Sequence, residues 1–163
     1  MHKQLVFLCL FTTLFVACTD SKSVYNEYTA IHKNWAKDAE VTFEFQPKDT
    51  LQAYNLFINI RNDNDYKFSN LFLIVNMDFP NGKTIADTLE YEMAKPNGEW
   101  LGKGFSSLKE NKLFYKENVI FPSMGNYRIT VAHAMRKNGS VTGVKSLEGI
   151  TDVGISIEKS AEK

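Results

Sequence analysis

The chain has 163 residues, is 44% hydrophobic and 23% charged, and balances 19 Lys and Arg against 19 Asp and Glu. That length and ordinary composition exclude wholesale disorder and suit one domain able to bury its own core. A formal charge of zero speaks against nucleic acid as a partner, because holding phosphates needs a basic surplus.

Both cysteines, Cys9 and Cys18, fall within the first 18 residues. The remainder therefore has no thiol for a disulfide framework, a Cys-ligated metal or a nucleophile. His2 and Lys3 make a short basic start, and Leu5 to Val16 is an apolar run interrupted only by Thr12 and Thr13. A run of about a dozen residues has the length of a signal peptide and falls short of the ~20 that a membrane-spanning helix needs. It ends in Leu14-Phe15-Val16-Ala17-Cys18, which resembles the bacterial lipobox, with Phe15 where that motif usually has Leu. In that pathway the Cys18 thiol receives a diacylglycerol, the chain is cut before the cysteine, and the freed amine can be acylated. Two or three acyl chains would hold the protein on a membrane, where one gives only reversible binding. A conventional secretory signal and a retained N-terminal helix are the alternatives. Asp20 beside the cysteine weakly suggests sorting information.

Thr19 to Tyr28 is small and polar and reads as a tether, and Val24 to Ala36 as a short helix or an extended arm. From there, alternation of apolar and polar residues predicts half-buried strands. Val41, Phe43 and Phe45 share one face of a first strand that Pro47 ends. Tyr54, Leu56, Ile58 and Ile60 alternate through a second, closed by Asn62-Asp63-Asn64-Asp65. Leu71 to Phe79 is apolar on both faces and reads as a central strand covered on both sides. Asn81-Gly82 is the strongest hairpin signal in the chain. Asp87, Leu89, Tyr91 and Met93 follow, then the breaker Pro96-Asn97-Gly98 and a strand over Leu113 to Phe121. Gly125-Asn126-Tyr127 at the entrance to the next strand is similar to the tyrosine corner of β-sandwiches, in which a phenol ties a turn to the backbone. Tyr127, Ile129, Val131, His133 and Met135 form one face of that strand, and Val153, Ile155 and Ile157 set the last.

Seven to eight such strands without a long amphipathic helix predict an all-β fold, an antiparallel β-sandwich. The chain divides into a signal peptide over 1–17, a lipidated tether and arm over 18–36, the sandwich over 37–159 and a tail over 160–163.

Chemistry-bearing patterns are sparse. Asp63-Asn64-Asp65 has the start of a calcium loop, but the sixth and twelfth places hold Phe68 and Ile74 instead of Gly and Glu, so a turn is expected. Gly98, Gly102 and Gly104 lack the context of a phosphate cradle. His32 and His133 have no partner at metal-ligand spacing, and His133 reads as a hydrogen-bonded core or rim residue. No Gly-x-Ser-x-Gly elbow is present. The expectation is a protein with no catalytic residue, no metal and no cofactor beyond a covalent lipid on Cys18. Trp100 reads as core packing or as an exposed anchor, and Trp35 sits where a docking arm would carry it.

The order of several segments resembles the gliding-motility lipoprotein family GldH of the Bacteroidota. They are the lipobox at Cys18, Trp35 ahead of Phe43-Glu44-Phe45, Tyr54-Asn55-Leu56 leading to Ile60-Arg61-Asn62, and Tyr66-x-x-Ser69-Asn70-Leu71. Gly98-x-Trp100-Leu101-Gly102-x-Gly104, Gly125-x-Tyr127, Met135-Arg136 and Val153-Gly154-Ile155 complete them. The resemblance implies an envelope lipoprotein needed for gliding and linked to type IX secretion, with no catalytic residues to carry over. Its expected setting is the outer membrane, on the periplasmic face, among other gliding and secretion envelope proteins. Arg61, Tyr66, Asn70 and Trp100 are the candidate partner contacts. A carbohydrate- or ligand-binding sandwich at the cell surface is the alternative, and it would need a flat platform of exposed aromatic rings.

Overall fold

The computed structural model describes residues 22–161; Cys18, the signal-peptide segment and Asp20 lie outside them. Ten strands follow in chain order: β1 (Ser23–Ala30), β2 (Asn34–Ala36), β3 (Val41–Phe45), β4 (Ala53–Asn62), β5 (Asn70–Asp78), β6 (Thr84–Glu92), β7 (Lys109–Ile120), β8 (Tyr127–His133), β9 (Ser146–Glu148) and β10 (Ile150–Lys159). One four-stranded sheet has the order β1-β10-β4-β7 and a second β3-β8-β5-β6, with a short β2-β9 ribbon beside them. Every pairing is antiparallel. The all-β sandwich expected from the alternation is what forms.

The core lies between the inner faces. Leu56, Ile58 and Ile60 of β4 and Val153, Ile155 and Ile157 of β10 oppose Phe43, Leu73, Val75, Met77, Ile129 and Val131 of the second sheet, all buried. Period-2 alternation puts them there, since successive side chains of a strand point to opposite faces. The β5–β6 hairpin turns through Pro80-Asn81-Gly82. The Gly82 amide donates to the Phe79 carbonyl at 2.9 Å, the Asn81 side chain accepts from the Lys83 amide at 3.0 Å, and Gly82 takes φ 83°. The tyrosine corner is also present. The Tyr127 hydroxyl donates to the Ser123 carbonyl at 3.1 Å and accepts from the Ser123 amide at 3.3 Å, with its ring edge-on to Phe121.

Three features depart from expectation. β5 is central in its sheet but covered on one face only: Leu71, Leu73, Val75 and Met77 are buried while Ile74 on the outer face is 40% exposed. A two-layer sandwich has one inside, so a strand apolar on both faces must leave one of them toward water. Residues 24–36, expected as a short helix or an extended arm, are extended and already paired into the sheets. β1 pairs along β10 from Ser23 to Ala30, so the sandwich begins near residue 23 and takes in Ser23 to Tyr28 of the stretch expected as tether. The extra strands β1, β2 and β9 carry little alternation, and two of them are three residues long.

Trp35 on β2 explains why the arm docks. The chain reverses at His32 and Lys33, both with positive φ, and delivers the indole to a fully buried position. Its Nε1 donates to the Ala39 carbonyl at 2.7 Å, and its ring meets that of His133 edge-on at 5.4 Å. Burying an indole of this size contributes several times what a methyl does, which offsets the entropy of ordering the arm.

Candidate functional site

Strand direction gives the molecule two ends built from different loops. β1 enters at Ser23, opposite Glu158, and the β3–β4, β5–β6 and β7–β8 loops gather at the same end. The far end holds the β2-β9 ribbon, the turn after β4 and the long β6–β7 connection. All four candidate contact residues map to the far half, but they do not form one surface.

Tyr66 and Trp100 come together with Asn70. The Tyr66 hydroxyl donates to the Asn70 carbonyl at 2.7 Å, and its ring lies 5.8 Å from Phe68 and 6.1 Å from Trp100. At 3% exposure Tyr66 offers a partner almost no surface, and burial pushes its phenol far above the ordinary range. Gly149 passes so close that a Cβ there would sit 2.1 Å from the Tyr66 nitrogen. Trp100 is half-buried against this cluster and paired to Ala94 across the turn at Pro96-Asn97-Gly98. Asn70 is freer, its amide donating to Glu90 Oε1 at 2.8 Å. Together they close the far end of the core and leave only Asn70 and one side of Trp100 outward.

Arg61 stands apart, on the outer face of the first sheet. Its guanidinium lies 4.1 Å from the centre of the Tyr28 ring, and its Nε donates to Glu110 Oε2 at 3.0 Å. Tyr28 donates to the other oxygen of Glu110 at 2.9 Å, and burial, then that bond to Glu110, pushes its phenol up to about 12. The trio is a brace across the sheet. All three residues are consumed by it, so a partner would meet its surface and not a free cation.

The far-end surface that is exposed went unmarked by strand patterning. Phe105 is 95% and Val141 89% exposed, and Leu101 and Leu108 flank Phe105 at 43% each. The β6–β7 loop that presents Phe105 is tightly closed. Lys103 and Glu110 exchange backbone hydrogen bonds, and the Lys109 ammonium donates to the carbonyls of Gly104 and Ser106. A Cβ at Gly104 would lie 2.3 Å from the Leu108 carbonyl, so only glycine allows the closure. The signal in the sequence is a bulky aromatic set in a run of turn formers, Gly104-Phe105-Ser106-Ser107, where packing cannot explain it.

Other groups are spent on structure. The Lys33 ammonium stands 2.6 Å from Asp63 Oδ2, and the other Asp63 oxygen accepts from the Asp65 amide, so the acidic triplet is a turn with its own cation. Burial raises the Asp63 carboxyl, but the Lys33 contact and the backbone amides of Asp65 and Asp63 together outweigh it and leave it below the usual range. His133 is buried, its Nε2 donating to the Trp35 carbonyl at 3.0 Å; burial lowers its affinity for a proton, and the Trp35 bond only partly restores it. Ser106 and Lys109 have Ser-x-x-Lys spacing, yet Lys109 is taken by carbonyls, and Ser156, likewise spaced from Lys159, receives the Asn59 amide. Among the described residues no three His, Cys, Asp or Glu side chains converge on a metal position. The exposed Phe114 meets Phe57 at 78°, edge to face, and so makes no flat platform for a sugar.

The family model for the GldH lipoprotein matches residues 23–157, nearly all of the described chain. The chain belongs to the GldH lipoprotein family. A gliding motility lipoprotein GldH homolog of Christiangramia forsetii is 57% identical over 155 residues, covering 95% of each chain. The gliding motility lipoprotein GldH of Flavobacterium johnsoniae is 47% identical over 152 residues, 93% of this chain and 94% of its own. Among solved structures, the VP2 subviral particle of infectious bursal disease virus aligns at TM-score 0.42 and 13% identity over 82% of this chain. This chain spans about a third of that protein (32%), and a likeness at that level says nothing further about it. The GldH match covers the strands that build the brace and the far end, so Trp35, Tyr66, Trp100, Tyr127 and Gly154 all lie inside the family's own region.

Proposed function

We propose that this protein is a lipid-anchored, non-enzymatic interaction module of the gliding and type IX secretion machinery. It would be held by acyl chains on Cys18 in the outer membrane, facing the periplasm. The family match over residues 23–157, with relatives named gliding motility lipoproteins, is the observation that carries this reading. The geometry agrees with it. Polar groups that could do chemistry are tied into turns, ion pairs and the cross-sheet brace, while the outstanding exposed feature is an apolar loop tip at Phe105. Ordered apolar tips of this kind supply contact area rather than catalysis. Anchoring confines the domain to two dimensions and raises its effective concentration toward other anchored proteins, so a modest contact suffices.

The test is affinity capture of the tagged, lipidated protein from crosslinked envelope membranes, read by mass spectrometry. Co-purification of gliding or secretion envelope subunits supports the reading. Clean recovery of the protein without them, together with retention on cell-surface polysaccharide, would replace it with a carbohydrate-binding role. Expressing this chain in a Flavobacterium johnsoniae strain that lacks its own relative adds a functional readout. Spreading should return, and a membrane-bound protein that restores no spreading counts against it.

A further inference from the structure

We propose that the end of the sandwich where β1 begins is a membrane-contact face, seated on the same bilayer that takes the Cys18 lipid. This inference rests on the anchoring read above and adds which side of the domain meets the lipid. Only four residues, and so five steps of chain, separate Cys18 from Ser23. Fully extended, those five steps span at most about 18 Å, less than the ~33 Å length of a ten-residue strand. The domain therefore cannot turn its far end to the bilayer without lying flat, and the β1 end is held within headgroup reach.

That end is apolar where a free surface would be polar. Leu51 in the β3–β4 loop is 86% exposed, Met124 in the β7–β8 loop 64%, and Ile120 at the close of β7 53%. The three sit on neighbouring chain ends, Ile120 pairing with Ala53 two residues beyond Leu51. At the same end the exposed Val24 lines a cleft of about 350 Å³ between the start of β1 and the β3–β4 loop. Lys48, Lys83 and Lys159 ring this end and make no ion pair among the described residues. Of the carboxylates there, Glu44 and Glu158 are paired with Arg128 and Lys112, Asp49 accepts from the Leu51 amide and Asp78 from the Thr84 hydroxyl, and the exposed Glu117 is the counterweight. Apolar tips among lysines are the arrangement that partitions to the boundary of headgroups and acyl chains. Leu51, Met124 and Ile120 would enter that boundary and stand the sandwich upright, with Phe105 pointing away from the membrane.

Mature lipidated protein has no thiol free for labelling, so single cysteines at 51, 124, 105 and 141 report separately. The variants Leu51→Cys, Met124→Cys, Phe105→Cys and Val141→Cys would each carry an environment-sensitive dye. They would be reconstituted in phosphatidylethanolamine vesicles containing a minority of phosphatidylglycerol and nitroxide-labelled lipid. Quenching several-fold stronger at 51 and 124 than at 105 and 141 is the expected result. Equal quenching at all four sites, in protein that floats with the vesicles, overturns the contact face and leaves the anchor standing. Dyes at 51 and 124 shielded equally in detergent and in vesicles overturn it in favour of a second protein copy. Lipidated wild type that does not float removes the anchor, and this inference with it.

Discussion

Tyr28 and Glu110 stand on opposite edge strands of one sheet, 82 residues apart, and hydrogen-bond at 2.9 Å across the two strands between them. Such a crossing needs a low place in the sheet, and Gly154 on β10 provides it. A Cβ at 154 would lie 2.7 Å from Tyr28 Cδ1 and 2.6 Å from the Glu27 carbonyl. Arg61 fills the far side of the ring and grips the second oxygen of Glu110. The brace ties β1 to β4 and to β7 across the intervening β10.

Gly154→Ala is therefore expected to lift Tyr28 and loosen β1. Because one of the clashing atoms is backbone, rotamer change cannot relieve it, and the loss should be about 1–3 kcal/mol. Urea unfolding measures this, and hydrogen exchange should show β1 amides opening first. An unchanged midpoint with protected β1 amides rules the brace out as a stabilising device.

Tyr127→Phe keeps the ring in the core and deletes the phenol that both donates to and accepts from Ser123. Losing the corner should cost about 1–2 kcal/mol, since the half-buried carbonyl and amide of Ser123 lose their partner. Thermal unfolding checks it; a melting temperature within error of wild type would mean water replaces the phenol at no cost.

His133 predicts a pH dependence. Its folded-state proton affinity is lowered, burial being the largest cause, with Lys37 pulling it further down and Asp38 and the Trp35 bond opposing. A group of depressed folded pKa stabilises above its unfolded value, ordinarily about 6.5 for histidine, and that stability is lost as pH falls below it. Melting temperature should fall from pH 7 toward 5, above the range where the carboxylates titrate. His133→Asn should flatten the curve across that window. A mutant curve parallel to wild type excludes the histidine as its source.

Phe105→Ser should leave unfolding nearly unchanged, because a ring 95% exposed contributes little to the core. Capture of partners from envelope membranes should drop. Equal capture by both proteins would place the docking surface elsewhere.

Cys18→Ala should move the protein from the membrane to the soluble fraction while its β-rich circular dichroism is retained, since the sandwich is built from residues 23 onward. Retention on membranes after a high-salt wash would dismiss the lipid as the anchor.

The residues that spelled out the fold are those whose role is local. Alternation at Val41-Phe43-Phe45 and at Tyr127 to His133 sets which side chains face inward whatever lies opposite, because the period of a strand is two. Gly82 and the Gly125-x-Tyr127 corner act within a few residues, and the resemblance of Leu14 to Cys18 to a lipobox is likewise a matter of contiguous residues. Long-range register decided the rest. β1 pairs with β10 although its own side chains show no buried face, so nothing in Ser23 to Ala30 announces it. Tyr66 turns from a candidate contact into a buried strut only because Gly149 and Trp100 arrive from 83 and 34 positions away to cover it. Phe105 is left bare because the loop that carries it closes on its own backbone and finds no second layer to cover it. Which side chains a segment offers is written in its own order; which of them water still reaches depends on what distant strands bring alongside.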